Sequence, residues 1–340
     1  MPRNEADTRT QLIDPALHAR GWTEDLIRRE ETLGTVEIVD GKPRRQTHGR
    51  TDYTLRLKVA ADAQPVAVAV LEAKSEDKPA TYGLHQAKTY QRTAKRLNVP
   101  FVIATNGHLW TLHDNRTATT TPIPRPMAEF PTPDDLRAAY EDAIGIDLTA
   151  APARPLITHY KGGETARRYY QDAAIRAVFE KLARGETRAL LSLATGSGKT
   201  FIAVNLLRRI ADAGQLRRAL FVCDRDELRG QGLGAFHNVF GADAAPVSGA
   251  DPQKNARILV ATYQTLDVDT EEADANFLTT HYPKNYFSHI IIDECHRSAW
   301  GKWSQVLTRN PDAVQVGLTA TPRELAFSEK SKEVRADAQI

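Results

Sequence analysis

Residues 190–200 read LLSLATGSGKT. A short apolar run, a glycine-bearing turn and a helix-opening Lys-Thr pair follow one another without a break. Glycines at 196 and 198 let backbone N–H groups approach phosphate oxygens, and the N-terminus of the following helix adds a favourable dipole. Thr195, Gly196, Ser197, Gly198, Lys199 and Thr200 form the candidate phosphate-binding set. Lys199 is placed to meet β/γ-phosphates and Thr200 to hold magnesium. Leu193 stands where the strict pattern has its first glycine.

Working outward, apolar runs at 188–193 (RALLSL), 218–223 (RALFVC), 256–261 (ARILVA), 288–293 (SHIIID) and 314–318 (VQVGL) alternate with helix-length stretches. Runs apolar on both faces, separated in this way, predict a parallel sheet covered by helices on both sides. The fourth run ends in Asp293-Glu294, the position for carboxylates at the carboxyl edge of such a sheet. Asp293 is the candidate magnesium ligand. Glu294 is placed to orient or deprotonate an attacking water. The acidic stretch LDVDTEEADAN (266–276) reads as a solvated loop.

The pieces ATGSGKT, DECH and GLTATP resemble superfamily 2 helicases and translocases of the DEAD/DEAH type. The resemblance spans about 167–322 and implies a RecA-like motor domain using ATP and Mg2+. It implies that Gln171, in RRYYQDAAI, reads adenine, that ATYQTL (261–266) contacts DNA, and that Thr319–Thr321 couples the nucleotide site to movement. His296 takes weight only through the DECH match. The family has a second RecA-like domain with an arginine finger, for which the 340 residues leave no room; the isolated chain is expected to bind ATP and hydrolyse it slowly.

Ahead of this region the chain reads as α+β. DTRTQLIDPALHARGW (7–22) predicts a short helix ended near Pro15 and a second piece ending at Gly21. TDYTLRLKVA (51–60) and PVAVAVLEAK (65–74) alternate as strands. TYGLHQAKTYQRTAKRLN (81–98) predicts a helix with Leu84, Ala87, Tyr90, Ala94 and Leu97 near one face. FVIATNGHLWTLHD (101–114) predicts a hairpin on a type I′ turn at Asn106-Gly107. The proline-dense TPIPRPMAEFPTP (121–133) cannot be a regular element. Thr132-Pro133 caps a helix through DDLRAAYEDAI. The expected domains are 1–113, a proline-rich connector with one helix at 114–165, and 166–340.

Within the first domain the pattern (D/E)-x-K occurs three times: Asp40 to Lys42, Glu72 to Lys74 and Glu76 to Lys78. Only Glu72 ends a strand. Glu72 and Lys74 share a strand face and stand either as ordinary surface charges or as groups that cut a phosphodiester. A hairpin turning around Asp62 pairs positions summing to about 124 and sets Asp52 opposite Glu72, with Cβ atoms about 5 Å apart. Like charges there are unfavourable, and a divalent cation would make them a binding site. Tyr53, Leu55 and Leu57 then meet Leu71, Ala69 and Ala67 on the core side. Magnesium held by Asp52 and Glu72 would activate water; Lys74 would stabilise developing charge or orient the nucleophile. Gln86 and Tyr90, at i and i+4, share a helix face. Lys88, Arg92, Lys95 and Arg96 add cations there, and GKPRRQTHGR (41–50) precedes Asp52. His48 and His85 read as catalytic or as structural, and Glu5 stays outside the candidate set.

GRTDYTL, LEAK and QAKTY together resemble the RecB-like branch of the PD-(D/E)xK nucleases. With LIDPALHARGW and VCDRDELRGQ, the whole chain is similar to the front of the R subunit of type I restriction enzymes. That resemblance implies ATP-dependent translocation on double-stranded DNA, magnesium-dependent endonucleolytic cleavage, and methyltransferase and specificity subunits as partners. It makes Asp52, Glu72, Lys74, Gln86, Tyr90 and Glu294 the catalytic set. Two other readings stand beside it: an ATP- and DNA-binding module without nuclease activity, and a repair helicase with an accessory nuclease. Composition is compatible with each. The chain is 41% hydrophobic and 26% charged, with net charge +2, so any DNA-binding surface is a local patch. Cys223 and Cys295 lack metal-ligand spacing, and no apolar run approaches the roughly 20 residues of a membrane span. A reducing cytoplasm is the expected location.

Overall fold

The computed structural model describes residues 1–32, 35–39, 42–46, 50–82, 84, 99–159, 169–194, 196–223, 226–248, 251–266, 277–295 and 305–320. The chain divides into two compact units, Met1–Glu180 and Lys181–Ile340.

The first unit is built on a sheet of seven strands. These are β1 (Ile27–Thr32), β4 (Arg50–Leu57), β5 (Val66–Ala73), β6 (Phe101–Thr105), β7 (Leu109–Asp114) and β8 (Thr119–Thr120) in spatial order, with β9 (Arg125–Pro126) also on β7. A separate antiparallel pair joins β2 (Thr35–Val39) to β3 (Lys42–Gln46). Neighbours in the large sheet are antiparallel except β5 and β6. A parallel pair cannot be closed by a tight turn, so residues 74–100 must cross over. The helix expected at 81–98, with Gln86 and Tyr90, lies outside the described residues apart from its first positions.

β4 and β5 pair as Tyr53 with Leu71, Thr54 with Val70 and Leu55 with Ala69, which is the expected sum of 124. A bulge at Leu55/Arg56 then shifts the register, so Leu57 meets Val66 rather than Ala67. One extra residue in one strand is what such a bulge inserts. The shift falls away from the carboxylate end, and the register extended one rung past Tyr53 and Leu71 brings Asp52 to Glu72. Every residue of β5 is buried. Both faces of this strand are therefore covered, not only the face bearing Leu71 and Ala69. Val70, Val102, Ala104, Val99 and Leu84 cluster together.

The N-terminal segment departs from expectation at Pro15. Helix Glu5–Thr8, capped by Asn4, passes through a π-helical turn, Arg9–Ile13, into helix Asp14–Ala19. Pro15 enters in the first turn of that last helix, where its missing N–H costs nothing. Gly21, at φ 86°, follows the helix end. The hairpin of β6 and β7 also differs. Asn106 N–H donates to Leu109 O, so Gly107 and His108 are the central residues. Only Gly107 takes positive φ (87°), which excludes type I′. Asn106 instead accepts the N–H groups of His108 and Leu109 on its side chain.

The expected connector 114–165 is part of the first unit. Met127 and Phe130 are buried, and the carbonyls of Phe130 and Pro131 accept from Arg20 Nε and Trp22 Nε1. Prolines have no N–H, so their segment serves the fold through carbonyls and apolar rings. Helix Pro133–Ile144 carries the expected capping box at Thr132 and Asp135 and buries Leu136, Tyr140 and Ile144. Tyr140 OH donates to Glu180 Oε1 (2.7 Å) and accepts from Arg176 Nη2 (3.1 Å), and Arg176 pairs with Glu180 at 2.8 Å. Helix Tyr169–Ala183 is thereby bound to helix Pro133–Ile144 at Arg176 and Glu180. By compactness the first unit extends to Glu180, inside that helix and beyond the expected edge at 165/166.

The second unit is a six-stranded, wholly parallel sheet. Its order is β10 (Arg188–Ser192), β15 (Val314–Thr319), β14 (His289–Asp293), β11 (Ala219–Cys223), β13 (Ile258–Thr262) and β12 (Ala244–Pro246). β11, β13 and β14 are buried at every position, as expected of strands packed on both faces. Helices Lys199–Asp212 and Asp226–Phe240 are the long helical crossovers. Gly317 on β15 has a local reason. A Cβ there would lie 2.7 Å from Cys295 Sγ and 3.1 Å from Leu190 Cδ1.

Candidate functional site

In the first unit the strand register gathers charge at one end of β4 and β5. Asp52 Oδ2 accepts the Ala73 N–H at 2.7 Å, which locks the aspartate against the end of β5. Lys74 Nζ donates to Glu72 Oε1 at 2.8 Å and lies 3.7 Å from Glu5 Oε2. Glu72 and Lys74 are both buried (5% and 6% exposed), which rules out reading them as ordinary surface charges. Burial, and then the neighbouring Asp52, push the Glu72 carboxyl up to about 7. Burial also raises Asp52, against the pull of the Ala73 N–H bond. Burial opposes the charge on Lys74, but its bond to Glu72 and the charges of Glu72, Glu5 and Asp52 together outweigh that, and the ammonium is held above its usual range.

Arg9 completes the cluster. Its guanidinium lies 3.4 Å from Asp52 Oδ1 and 3.4 Å from Glu30 Oε1. Arg9, Glu30 and the approach of Glu5 were not predicted as site members. Glu30 arrives through a pairing of β1 with β4, and LIRREE offers no apolar alternation to announce a strand. Of the other two matches to the pattern, one is described. Glu76 binds Arg3 and His108, and Asp40 lies outside the described residues.

Two carboxylates forced together and short of positive charge suit a hard divalent cation. Among the described residues, however, no group of three or more His, Cys, Asp or Glu side chains is arranged to hold a metal. The chain's own Arg9 and Lys74 stand among the carboxylates instead. Asp52 and Glu72 fit such an ion as a pair, with further ligands left to water or substrate oxygens.

In the second unit the carboxyl ends of β10, β15 and β14 adjoin. Leu193 N–H donates to Thr319 O, tying the start of the phosphate loop to β15. Gly196 and Gly198 take φ of 79° and 85°, which an L side chain resists. No side chain caps the N-terminus of helix Lys199–Asp212 among the described residues. Its N–H groups with two left-handed glycines fit a polyphosphate. Lys199 Nζ donates to Glu294 Oε1 at 2.7 Å. Glu294 holds φ of 50°, a costly value for a non-glycine residue, and its N–H donates to Asp293 Oδ1. Asp293 is buried at the end of β14, and burial pushes the adjoining Cys295 thiol up to about 11.

Gln171 is buried in helix Tyr169–Ala183 of the first unit. In ATYQTL, Tyr263 and Leu266 are core residues and Gln264 is the exposed one. Thr265 N–H donates to Thr262 Oγ1, turning the chain at the end of β13. Thr195, Gln86, Tyr90, His48, His85, His296 and Thr321 lie outside the described residues, as do Lys88, Arg92, Lys95 and Arg96. Among the described residues no helix is long and apolar enough to cross a membrane.

Residues 164–324 match the family described as "Type III restriction enzyme, res subunit" (ResIII). The chain is 32% identical over 329 residues to the type I restriction enzyme EcoAI endonuclease subunit of Escherichia coli, covering 94% of this chain and 39% of that subunit. It is 31% identical over 187 residues to the EcoKI endonuclease subunit of Escherichia coli strain K12, covering 47% and 15% respectively. A solved fragment assigned as the HsdR subunit of a type I restriction enzyme from Vibrio vulnificus YJ016 aligns with a TM-score of 0.71 at 30% identity. It covers 99% of this chain and 58% of that one. The chain spans less than half the length of the two Escherichia coli relatives.

Proposed function

Proceeding from the chain's homology to the endonuclease subunits of type I restriction enzymes, with a ResIII-type region at 164–324, we propose that it is the nuclease and first motor portion of such a subunit. Its work is ATP-dependent translocation on double-stranded DNA coupled to magnesium-dependent cleavage, beside methyltransferase and specificity subunits. One observation carries the nuclease half of this reading: a buried lysine 2.8 Å from a strand-end glutamate, with a fixed aspartate on the adjacent strand.

In the second unit, Gly196, Ser197, Gly198 and the helix N-terminus bind phosphate oxygens, and Lys199 leaves Glu294 to meet the β/γ-phosphates. Thr200 and Asp293 would hold the accompanying magnesium, which neutralises charge on the phosphates. Glu294, once released, orients the attacking water. In the first unit, Asp52 and Glu72 would hold the ion that supplies a water nucleophile of lowered pKa. Lys74 donates to the carboxylate side of the site and stabilises charge developing on the attacked phosphate. Gln86 and Tyr90 remain candidates for orienting the DNA backbone. Contacts of this kind read phosphate rather than bases.

The test is a substitution in an enzyme assembled with methyltransferase and specificity subunits. Glu72→Ala stops DNA cleavage and spares ATP hydrolysis; cleavage that persists would sink the nuclease assignment. The alternative, an ATP- and DNA-binding module silent in cleavage, is favoured by one observation, the pairing of Asp52 and Glu72 with Arg9 and Lys74. Magnesium-dependent nicking by the full chain would exclude it.

A further inference from the structure

The carboxylates of the first unit form a row, not a pair. β1 pairs with β4 as Arg29 with Tyr53 and Glu31 with Thr51, so Glu30 stands on the rung opposite Asp52. The next strand continues the row with Glu72. Like charges directly opposite one another in a sheet are destabilising, and this row has three. Glu30 also holds φ of 54° inside a strand, a conformation that a non-glycine residue keeps only where its surroundings enforce it.

Between the first two members lies Arg9. Its guanidinium reaches both Glu30 Oε1 and Asp52 Oδ1 at 3.4 Å and lies 5.4 Å from the centre of the Tyr53 ring. The residue opens the π-helical turn Arg9–Ile13, and such single turns are frequent at functional sites. The turn is seated firmly. A Cβ on Gly107 would come 2.7 Å from Leu12 Cβ and 3.1 Å from Thr8 Cγ2, so the β6–β7 turn presses against the helix that presents Arg9.

We infer that Arg9 is a positioning residue for the carboxylate site, an internal cation that holds Asp52 beside Glu30 and contends there with the divalent ion. The inference rests on the proposal that Asp52 and Glu72 bind such an ion. It goes beyond that proposal in giving the N-terminal turn a defined role and in adding Glu30 to the site. With Arg9 in place, one Asp52 oxygen is engaged by the guanidinium and the other by Ala73 N–H. An incoming ion must compete for the first, and Glu30 is kept occupied. Without Arg9, both Glu30 and Asp52 become available to the ion.

A residue that merely supports the fold would weaken ion binding when lost. An internal counter-ion has the opposite signature: its loss destabilises the ion-free chain and tightens ion binding. The experiment titrates the full chain with Mn2+, without nucleotide, by electron paramagnetic resonance of the free ion. The Asp52→Asn variant supplies the baseline for binding elsewhere. Arg9→Gln is expected to tighten Asp52-dependent binding roughly three- to tenfold, the scale of one partly exposed ion pair, and to lower the melting temperature in chelator. Arg9→Lys is expected to keep the parent affinity, and Arg9→Gln with Glu30→Gln to lose the gain. Unchanged or weaker binding in Arg9→Gln, with binding still dependent on Asp52, would overturn the role given to Arg9. A parent chain without Asp52-dependent Mn2+ binding would overturn the ion site itself, and the inference with it.

Discussion

Replacing Glu72 by glutamine should remove a pH dependence from the first unit. The Glu72 carboxyl is carried from 4.5 to about 7 by burial and by Asp52. Between those values the folded chain holds a proton that the unfolded chain has released. Stability contributed by this group is therefore lost as pH rises through the window and stays low above 7. A shift of that size corresponds to about 3 kcal/mol at 1.36 kcal/mol per unit. The side chain is only 7% exposed, so solvent screening takes little from it. Asp52 is shifted in the same direction and adds a smaller slope of its own. Lys74 is raised from 10.5, so its contribution is constant below that value. Amide hydrogen exchange along β5, in chelator at pH 5 and pH 8, reads this locally. The parent chain should exchange markedly faster at pH 8 after correction for the intrinsic rate, by up to about a hundredfold. Glu72→Gln should show most of that difference gone. Equal pH responses in the two proteins would refute the placement of a proton on Glu72, and with it the account of a buried site short of cations.

Other outcomes follow from single contacts. Lys199→Ala should weaken binding of a fluorescent ATP analogue by roughly ten- to a hundredfold, the scale of one charge-assisted hydrogen bond. Glu294→Gln frees Lys199 from its 2.7 Å partner and should tighten binding of a non-hydrolysable analogue up to about tenfold, measured by calorimetry. Gly317→Ala drives a methyl group into Cys295 and should destabilise the second unit by about 1–3 kcal/mol in urea denaturation. Thr132→Ala removes the capping box of helix Pro133–Ile144 and should cost about 1 kcal/mol in the same assay.

All five predicted runs of the second unit are strands; β11, β13 and β14 were legible because burial on both faces leaves continuous apolar runs, whereas β10 is apolar in sequence yet largely exposed. The glycine-bearing turn after β10 and Asp293-Glu294 at the end of β14 could be placed from sequence because short motifs sit at strand ends. In the first unit the sum of 124 between β4 and β5 came from matching two alternating segments across a short loop. What stayed hidden depends on contacts distant in sequence. β1 is rich in charge and is a strand because β4 accepts it; the bulge at Leu55/Arg56 has no local signal. Arg9 reaches Asp52 only because the chain continues through Pro15 and leans on Gly107. The proline-rich stretch was assigned to a connector because its prolines argued against any regular element, yet it supplies β9, paired with β7, and a 3-10 turn at Met127–Glu129. Its carbonyls and rings nonetheless hold Trp22, Arg20 and the buried Phe130.

The buried trio of Tyr140, Arg176 and Glu180 bears on how this protein can be taken apart. A cut after 165 would discard Arg176 and Glu180 and strand the Tyr140 hydroxyl, which is wholly enclosed. Leaving a buried hydroxyl without its partners costs about 1–3 kcal/mol, a sizeable share of what a domain of this size has to spare. A stand-alone cleavage module should therefore be expressed through residue 183, where the helix ends. Proteases offered the intact chain should spare 169–183, since a helix anchored at Arg176 and Glu180 does not present the extended backbone they require. Most of helix Tyr169–Ala183 thus belongs to the first unit, Met1–Glu180.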